Sequence, residues 1–303
     1  MNNTEKDSID LSTIFSLLKS NWKLIALITV VGALASVFYA ISQPNYYKSS
    51  ALVVPNSSEE TSALQSQFGS IASLAGVKIP SSTANKTQLI ISTLSSREFL
   101  QRLLNDEKIL PNLLAVQEFD HQNQKIIFRN DEYNAQSKTW IREVSYPYKK
   151  IPSLLEAHEA YLEIFNIQHD KLTDFITISV EHKSPIFTKF FLELIIKELN
   201  DSLREEAQQE AQLAISFLEN EMSQAKLKSI QEALSYLSES QIKNKMLADI
   251  RSDYAVKVID APFIPLKKSK PKRAIICILG TIFSFLLSLL IIFITKLYKN
   301  IKD

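Results

Sequence analysis

"DAPFIPLKKSKPKRAIICILGTIFSFLLSLLIIF" occupies residues 260–293 and decides how the chain is built. Three prolines (Pro262, Pro265, Pro271) and five cations (Lys267, Lys268, Lys270, Lys272, Arg273) stand directly before a 22-residue uncharged run, Ala274 to Thr295. A second uncharged run, Leu24 to Ile41, holds 18 residues. At helical rise the two runs measure roughly 27 and 33 Å, matching a hydrocarbon core of about 30 Å. The first run is longer than a signal-peptide apolar region, and its exit, "SQPNYYKSS" (42–50), has no small-x-small cleavage site. Both runs are expected to be retained membrane helices.

Two spans put both tails on one side and residues 42–273 on the other. Lys19 and Lys23 precede the first helix, and the next cation after it is Lys48. That bias places the N-terminus in the cytoplasm. The cations before the second helix argue the opposite, against Lys296, Lys299 and Lys302 after it. Because the first helix usually dominates and long domains translocate largely regardless of charge, both tails are assigned to the cytoplasm.

Composition excludes several classes. The 303 residues carry 34 basic and 33 acidic side chains, so no basic excess points to nucleic acid. The single cysteine, Cys277, lies in the apolar run and rules out a disulfide framework.

Along the chain, "IDLSTIFSLLKSNW" (9–22) sets Leu11, Ile14, Phe15, Leu18 and Trp22 on one helical face suited to a membrane surface. "NYYKSSALVV" (45–54) predicts a strand. A serine-rich stretch follows, helical over 64–74. A helix is predicted from near Asn85, continued or restarted by a capping box at Ser95–Glu98, with Leu89, Ile90, Leu94, Phe99, Leu103 and Leu104 facing a core. "KIIFR" (125–129) and "TWIREV" (139–144) read as short strands or loops. Ser153 and Glu156 cap a helix running to about Asn166, and "FITISVE" (175–181) alternates as a half-buried strand. "DYAVKVIDA" (253–261) reads as a returning strand, able to pair with the one near the first membrane helix.

Between these strands, Ser184-Pro185 has the order of a helix start. No glycine or proline occurs from Ile186 to Ala261, and apolar residues recur from 191 to 225 at an average step of 3.8. A helix over about 185–250 is predicted, either continuous or broken once near Ser238-Glu239-Ser240. Unbroken, it would reach about 95 Å, beyond any domain this chain can build, so it must project or fold back. Its small-residue seam (Ala207, Ala211, Ala214) favours packing on neighbouring copies.

The layout resembles the Wzz-type polysaccharide co-polymerases, or chain-length determinant proteins. "YYKSSALVVP" (46–55) is similar to the segment after their first membrane helix. "AISFLENEM" (214–222) resembles their Ala-Ile-x-Tyr-Leu-Glu stretch, with Phe217 in place of tyrosine. "VIDAPFIPLKKSKPKR" (258–273) resembles the proline-rich signature before their second membrane helix, with Pro262, Pro265, Pro271 and Lys272 on matching positions. The family often repeats glycine through that helix; here Gly280 is followed by Ser284 and Ser288, while Gly32, Ser36 and Ala40 give the first helix the same spacing. The resemblance implies a periplasmic α/β base, a long helix leading away from the membrane, a ring-like homo-oligomer, and a role in setting the length of a surface glycan.

Catalytic signatures are weak. There is no G-x-x-x-x-G-K-[ST] loop, and the eight residues after Thr295 predict no fused kinase. "HEAYL" (158–162) lacks the second zincin histidine, so no metal is expected. Paired acids in "LREEAQQE" (203–210) read as a solvated helix face. "RNDEYNAQSKTW" (129–140) has the composition of either a sugar-binding loop or a plain surface loop.

The expectation is a non-enzymatic, cofactor-free inner-membrane protein: cytoplasmic segment 1–23, membrane helix 24–41, periplasmic α/β domain 42–273 with a long helix of about 185–250, membrane helix 274–295, and cytoplasmic tail 296–303. The expected partners are further copies of the chain, a Wzy-type glycan polymerase, membrane lipids and lipid-linked polysaccharide. Pro262, Pro265, Pro271, Lys272 and Arg273 would couple domain to membrane. Gly32, Ser36, Ala40, Gly280, Ser284 and Ser288 would pack membrane helices. Glu206, Glu210 and Glu219 are the candidate oligomer contacts. An alternative job on the same architecture is capsule or exopolysaccharide export.

Overall fold

The computed structural model describes residues 21–56, 82–225 and 227–302. The surface helix expected at 9–22 and the helix expected at 64–74 lie largely or wholly outside these residues. The chain forms two compact units, one from the terminal segments up to Asn45 and from Lys268 onward, the other from Tyr46 to Lys267.

The terminal unit is a pair of helices, α1 (Trp22–Ser42) and α8 (Arg273–Lys302). Both are long and apolar enough to cross a membrane, α8 over Arg273–Thr295. Their outward side chains, including Leu34, Phe38, Leu279 and Phe283, are exposed.

The central unit is built on a four-stranded sheet in the order β6-β7-β1-β8. Its strands are β1 (Tyr47–Pro55), β6 (Phe165–His169), β7 (Ile176–His182) and β8 (Val256–Asp260). All neighbours are antiparallel, with β1 joined to β7 from Tyr47↔His182 to Val53↔Ile176. The strands nearest the two apolar helices do pair, with Val53 opposite Val258, after a register shift at Leu52/Val53. The base therefore mixes helix and sheet, but without the parallel crossovers of a strict α/β fold.

Alternation explains which face is covered. Ala51 and Val53 of β1 and Ile176, Ile178 and Val180 of β7 are buried in one core. That core is completed by Ile90 and Leu94 of α2 (Ser82–Leu94), Phe99, Leu100 and Leu103 of α3 (Arg97–Leu103), and Ile109 of α4 (Ile109–Leu114). Ala157 and Tyr161 of α5 (Leu154–Ile164) add to it. The largest share comes from α6 (Pro185–Gln224), through Phe187, Phe191, Leu192, Ile195, Ile196, Leu199 and Leu203. Each such side chain contributes roughly 1.5–3 kcal/mol on full burial. Two short hairpins, β2 (Val116–Asp120) with β3 (Lys125–Phe128) and β4 (Tyr133–Asn134) with β5 (Thr139–Trp140), lie outside the main sheet.

Caps set the helix starts. Ser184 accepts the Phe187 N–H at 3.2 Å ahead of Pro185. Ser153 and Glu156 form the complete reciprocal box before α5. The box expected at Ser95–Glu98 does not form: the cap is Ser96, one residue on, which accepts the Phe99 N–H at 3.1 Å, while Ser95 Oγ donates back to the Ile91 carbonyl. The helix expected to reach Asn166 stops at Ile164, because β6 begins at Phe165 and pairs with β7. "TWIREV" is strand only at Thr139–Trp140.

The helix expected over 185–250 is two helices. α6 ends at Gln224 and α7 runs Lys228–Ile250, so the break falls near Ala225–Leu227 rather than at Ser238–Ser240. α7 folds back along α6. Met222 meets Ser235, Gln212 accepts from Lys245 at 2.5 Å, and Gln208 Nε2 donates to Asp249 at 2.7 Å, partners 13, 33 and 41 residues apart. Steadily widening separations define an antiparallel hairpin. It buries Ala211 of the predicted seam together with Ile215 and Leu218, and leaves Ala207 and Ala214 half-buried. Covering by the chain's own α7 corrects the expectation that neighbouring copies meet there. Ala225 and Leu227 are extended, and Gln231 Nε2 donates to the Ala225 carbonyl at 2.9 Å. This bond satisfies one of the carbonyls that a helix end leaves open.

Candidate functional site: a small-residue helix seam and a cationic segment

In the terminal unit the predicted small residues converge. Gly32 faces Ser284 and Gly280 faces Ser36, and a Cβ on either glycine would overlap the opposing serine side chain. Ala40 and Ser288 are buried further along the same pair. Contact this close needs glycine, because any side chain would drive the backbones apart. The hydroxyls make no demand on the partner helix: Ser36 Oγ donates to the Ala33 carbonyl, Ser284 Oγ to Gly280 and Ser288 Oγ to Phe285, at 2.7–2.8 Å. Each polar group is satisfied within its own helix, as an apolar surrounding requires.

At the α8 start of this pair, Asn45 is the hub. Its Oδ1 accepts from Arg273 Nη2 at 3.2 Å and from Lys268 Nζ at 3.4 Å. Lys272 and Lys270 are exposed beside it, and Pro271 is half-buried. The acceptor was missed at the sequence level, although its place just after the apolar run was visible. In the central unit, Pro262 and Pro265 are buried. The segment is held on β1 by buried Ser49, whose Oγ donates to the Phe263 carbonyl at 2.7 Å and accepts the Phe263 N–H at 3.2 Å. The five predicted coupling residues thus have two settings: Pro262 and Pro265 belong to the central unit, and Pro271, Lys272 and Arg273 to the helix pair.

The carboxylates Glu206, Glu210 and Glu219 are exposed along α6 and do not gather at a point. The hairpin also exposes apolar side chains, Leu213 and Phe217 on α6 and Tyr236, Ile242 and Met246 on α7.

The histidines are occupied structurally and lie apart. His121 Nε2 contacts Tyr47 Oη at 2.8 Å, and His158 Nε2 lies 3.0 Å from the Ser95 carbonyl. His169 meets Asp174 at 2.7 Å. His182 is buried; its Nδ1 accepts the Ser184 N–H, so Nε2 carries the proton donated to the Asn112 carbonyl at 2.9 Å. Burial, with a lesser push from Lys183, drives its pKa down to about 4. Arg142 holds Glu156 at 2.6 Å, and that bond pulls the carboxyl down to about 2. In the stretch read as either a sugar-binding or a plain surface loop, Tyr133 and Trp140 pair across the small hairpin with centroids 5.2 Å apart. Among the described residues no three His, Cys, Asp or Glu side chains are grouped to hold a metal.

These features define a class: a chain with two apolar helices drawn from its two ends, bracketing a helix-and-sheet domain that carries a helical hairpin. Residues 7–107 match the family model described as Wzz, chain length determinant protein, a stretch that takes in α1, β1, α2 and α3. No curated protein sequence matches the chain closely enough to count as a relative. Among solved structures, a full-length bacterial polysaccharide co-polymerase is similar at 14% identity and TM-score 0.42, covering 97% of this chain and 99% of its own. A fragment of WzzB, a polysaccharide co-polymerase from Salmonella Typhimurium, is similar at 12% identity and TM-score 0.31, covering 75% of this chain and 100% of its own.

Proposed function

We propose that this protein is a non-enzymatic regulator of surface polysaccharide chain length, anchored in a bacterial inner membrane by α1 and α8. The match of residues 7–107 to the chain length determinant family carries this reading. The paired apolar helices and the Gly32–Ser284 and Gly280–Ser36 contacts support a membrane anchor of two spans. Both termini face the cytoplasm and the central unit faces the periplasm, following the cation bias before α1.

In this reading the protein works as a homo-oligomer that scaffolds a Wzy-type polymerase and tunes how far it extends each glycan. Copies meet along the hairpin, where Leu213, Phe217, Tyr236 and Met246 expose apolar surface and Glu206, Glu210 and Glu219 flank it. Pro262, Pro265 and Pro271 shorten the list of conformations open to the strand-to-helix connection, since each fixes φ near −65°. Movement of the sheet is then passed to α8 rather than absorbed.

Deletion of the gene, followed by electrophoresis of surface polysaccharide, tests the function. A changed distribution of chain lengths, restored by the gene in trans, is expected. An unchanged ladder removes the proposal.

A further inference from the structure

The buried prolines leave an apolar knob that the coupling role does not use. Pro262 and Pro265 are buried on the central unit, yet Phe263 and Ile264 are about half exposed and Leu266 is 96% exposed. Ser49 pins the backbone of Phe263 from both sides, through its N–H and its carbonyl. Phe263 is held by these two bonds, and Ile264 and Leu266 stand on either side of buried Pro265.

Three observations select the surface that covers them. Leu266 lies seven residues before Arg273, where α8 begins, so it stands within about 25 Å of that helix start by chain reach alone. Lys268, two residues on, bonds Asn45, which is three residues beyond the end of α1 at Ser42. Lys267, Lys268, Lys270 and Lys272 follow the knob and are exposed, and the nearest carboxylate in the segment is Asp260. Apolar side chains followed by cations match the two layers of a bilayer surface, acyl chains beneath anionic phosphates. Lysine stems reach the phosphates while the apolar side chains sit below them.

We propose that Phe263, Ile264 and Leu266 form a wedge that dips into the outer surface of the bilayer carrying α8, with the following lysines on lipid phosphates. The segment is then a third membrane contact beside the two spanning helices. The proposal rests on reading α1 and α8 as spanning helices.

The test uses the full chain with Cys277→Ala, reconstituted in nanodiscs of phosphatidylethanolamine and phosphatidylglycerol. Single cysteines are introduced as Leu266→Cys, Leu172→Cys or Ile282→Cys and labelled with an environment-sensitive fluorophore. Leu172, 97% exposed on the β6–β7 turn, is the solvent control, and Ile282, exposed on α8, is the membrane control. The label at 266 should be quenched severalfold more by nitroxide lipids carrying the spin label near the headgroup than the label at 172, and severalfold less by iodide. Replacing Lys267, Lys268, Lys270 and Lys272 by serine should reduce the lipid quenching at 266. Iodide quenching at 266 equal to that at 172 overturns the wedge. Shielding at 266 from both quenchers also overturns it, because a protein surface then covers the knob. Loss of lipid quenching at 282 overturns the spanning reading itself, and the wedge with it. Lipid quenching at 282 without any at 266 removes the wedge alone.

Discussion

Gly32 of α1 and Ser284 of α8 lie so close that a methyl group on the glycine would occupy the serine side chain. The same exclusion recurs between Gly280 and Ser36. Gly32→Leu and Gly280→Leu should each force the helices apart, costing roughly 1–3 kcal/mol as overpacking does in a tight interior. A lower midpoint of thermal unfolding in detergent, together with reduced energy transfer between fluorophores on α1 and α8, is the expected result. Unchanged transfer would show that the seam does not hold the pair.

Asn200 should be the costliest single polar side chain in the central unit. Its Oδ1 accepts the buried N–H groups of Ala255 at 2.8 Å and Val256 at 3.0 Å, fastening the start of β8 to α6. Asn200→Leu strands both donors, and each buried donor left open costs about 1–3 kcal/mol. Urea unfolding should show a midpoint lowered by more than any surface substitution on α6 produces. A midpoint within error of the parent contradicts the fastening role.

Acid should act on His182 first. Its ordinary pKa of 6.5 falls to about 4 in the folded state. The unfolded chain therefore binds the proton more readily. Stability is unaffected above pH 6.5, declines as pH falls from 6.5 to 4, and is lower by on the order of 3 kcal/mol below that range. His182→Gln should flatten this part of the stability–pH curve. A curve with the same slope in the variant assigns the acid sensitivity elsewhere.

Glu156 works in a lower window. Its folded pKa of about 2 lies below the ordinary 4.5, so its contribution is present above pH 4.5 and lost as pH falls to 2. The Arg142 and Glu156 side chains are only 13% and 16% exposed, and on the order of 2 kcal/mol is expected after allowing for solvent. Glu156→Gln should lower the unfolding midpoint at pH 7, with the difference from the parent shrinking below pH 4.5. A constant difference at all pH values would point to packing instead of charge.

The hairpin predicts its own cross-link. Met222 Sδ and Ser235 Oγ are 3.7 Å apart. With Cys277→Ala, the pair Met222→Cys and Ser235→Cys should oxidise within one chain. A faster-migrating monomer on a non-reducing gel is expected, whereas a dimer band would mean that the two helices meet between copies.

Much of this architecture was written in local patterns. The two apolar runs, the Ser184-Pro185 start, the Ser153–Glu156 box and the strand character of β1 and β8 are short-range signals that tertiary packing did not override. The Gly–Ser spacing was legible too, since small residues every fourth position mark one helix face. Other features were hidden for physical reasons. The α6–α7 break contains neither glycine nor proline, so no helix breaker announces it. β6 starts directly where α5 stops, so no turn residue announces it. Asn45, Ser49 and Asn200 act through partners 55 to 228 residues away, separations that no local pattern encodes.

The fold-back of α7 on α6 has a consequence for how such proteins vary. Because the arms run in opposite directions, both ends of the excursion return to the sheet. Extra turns can be added only as matched insertions, one in each arm. Height then changes in increments of about 5.4 Å per helical turn, while Asn200 and β8 keep their places. Stature is a quantity this design can adjust without rebuilding its foundation.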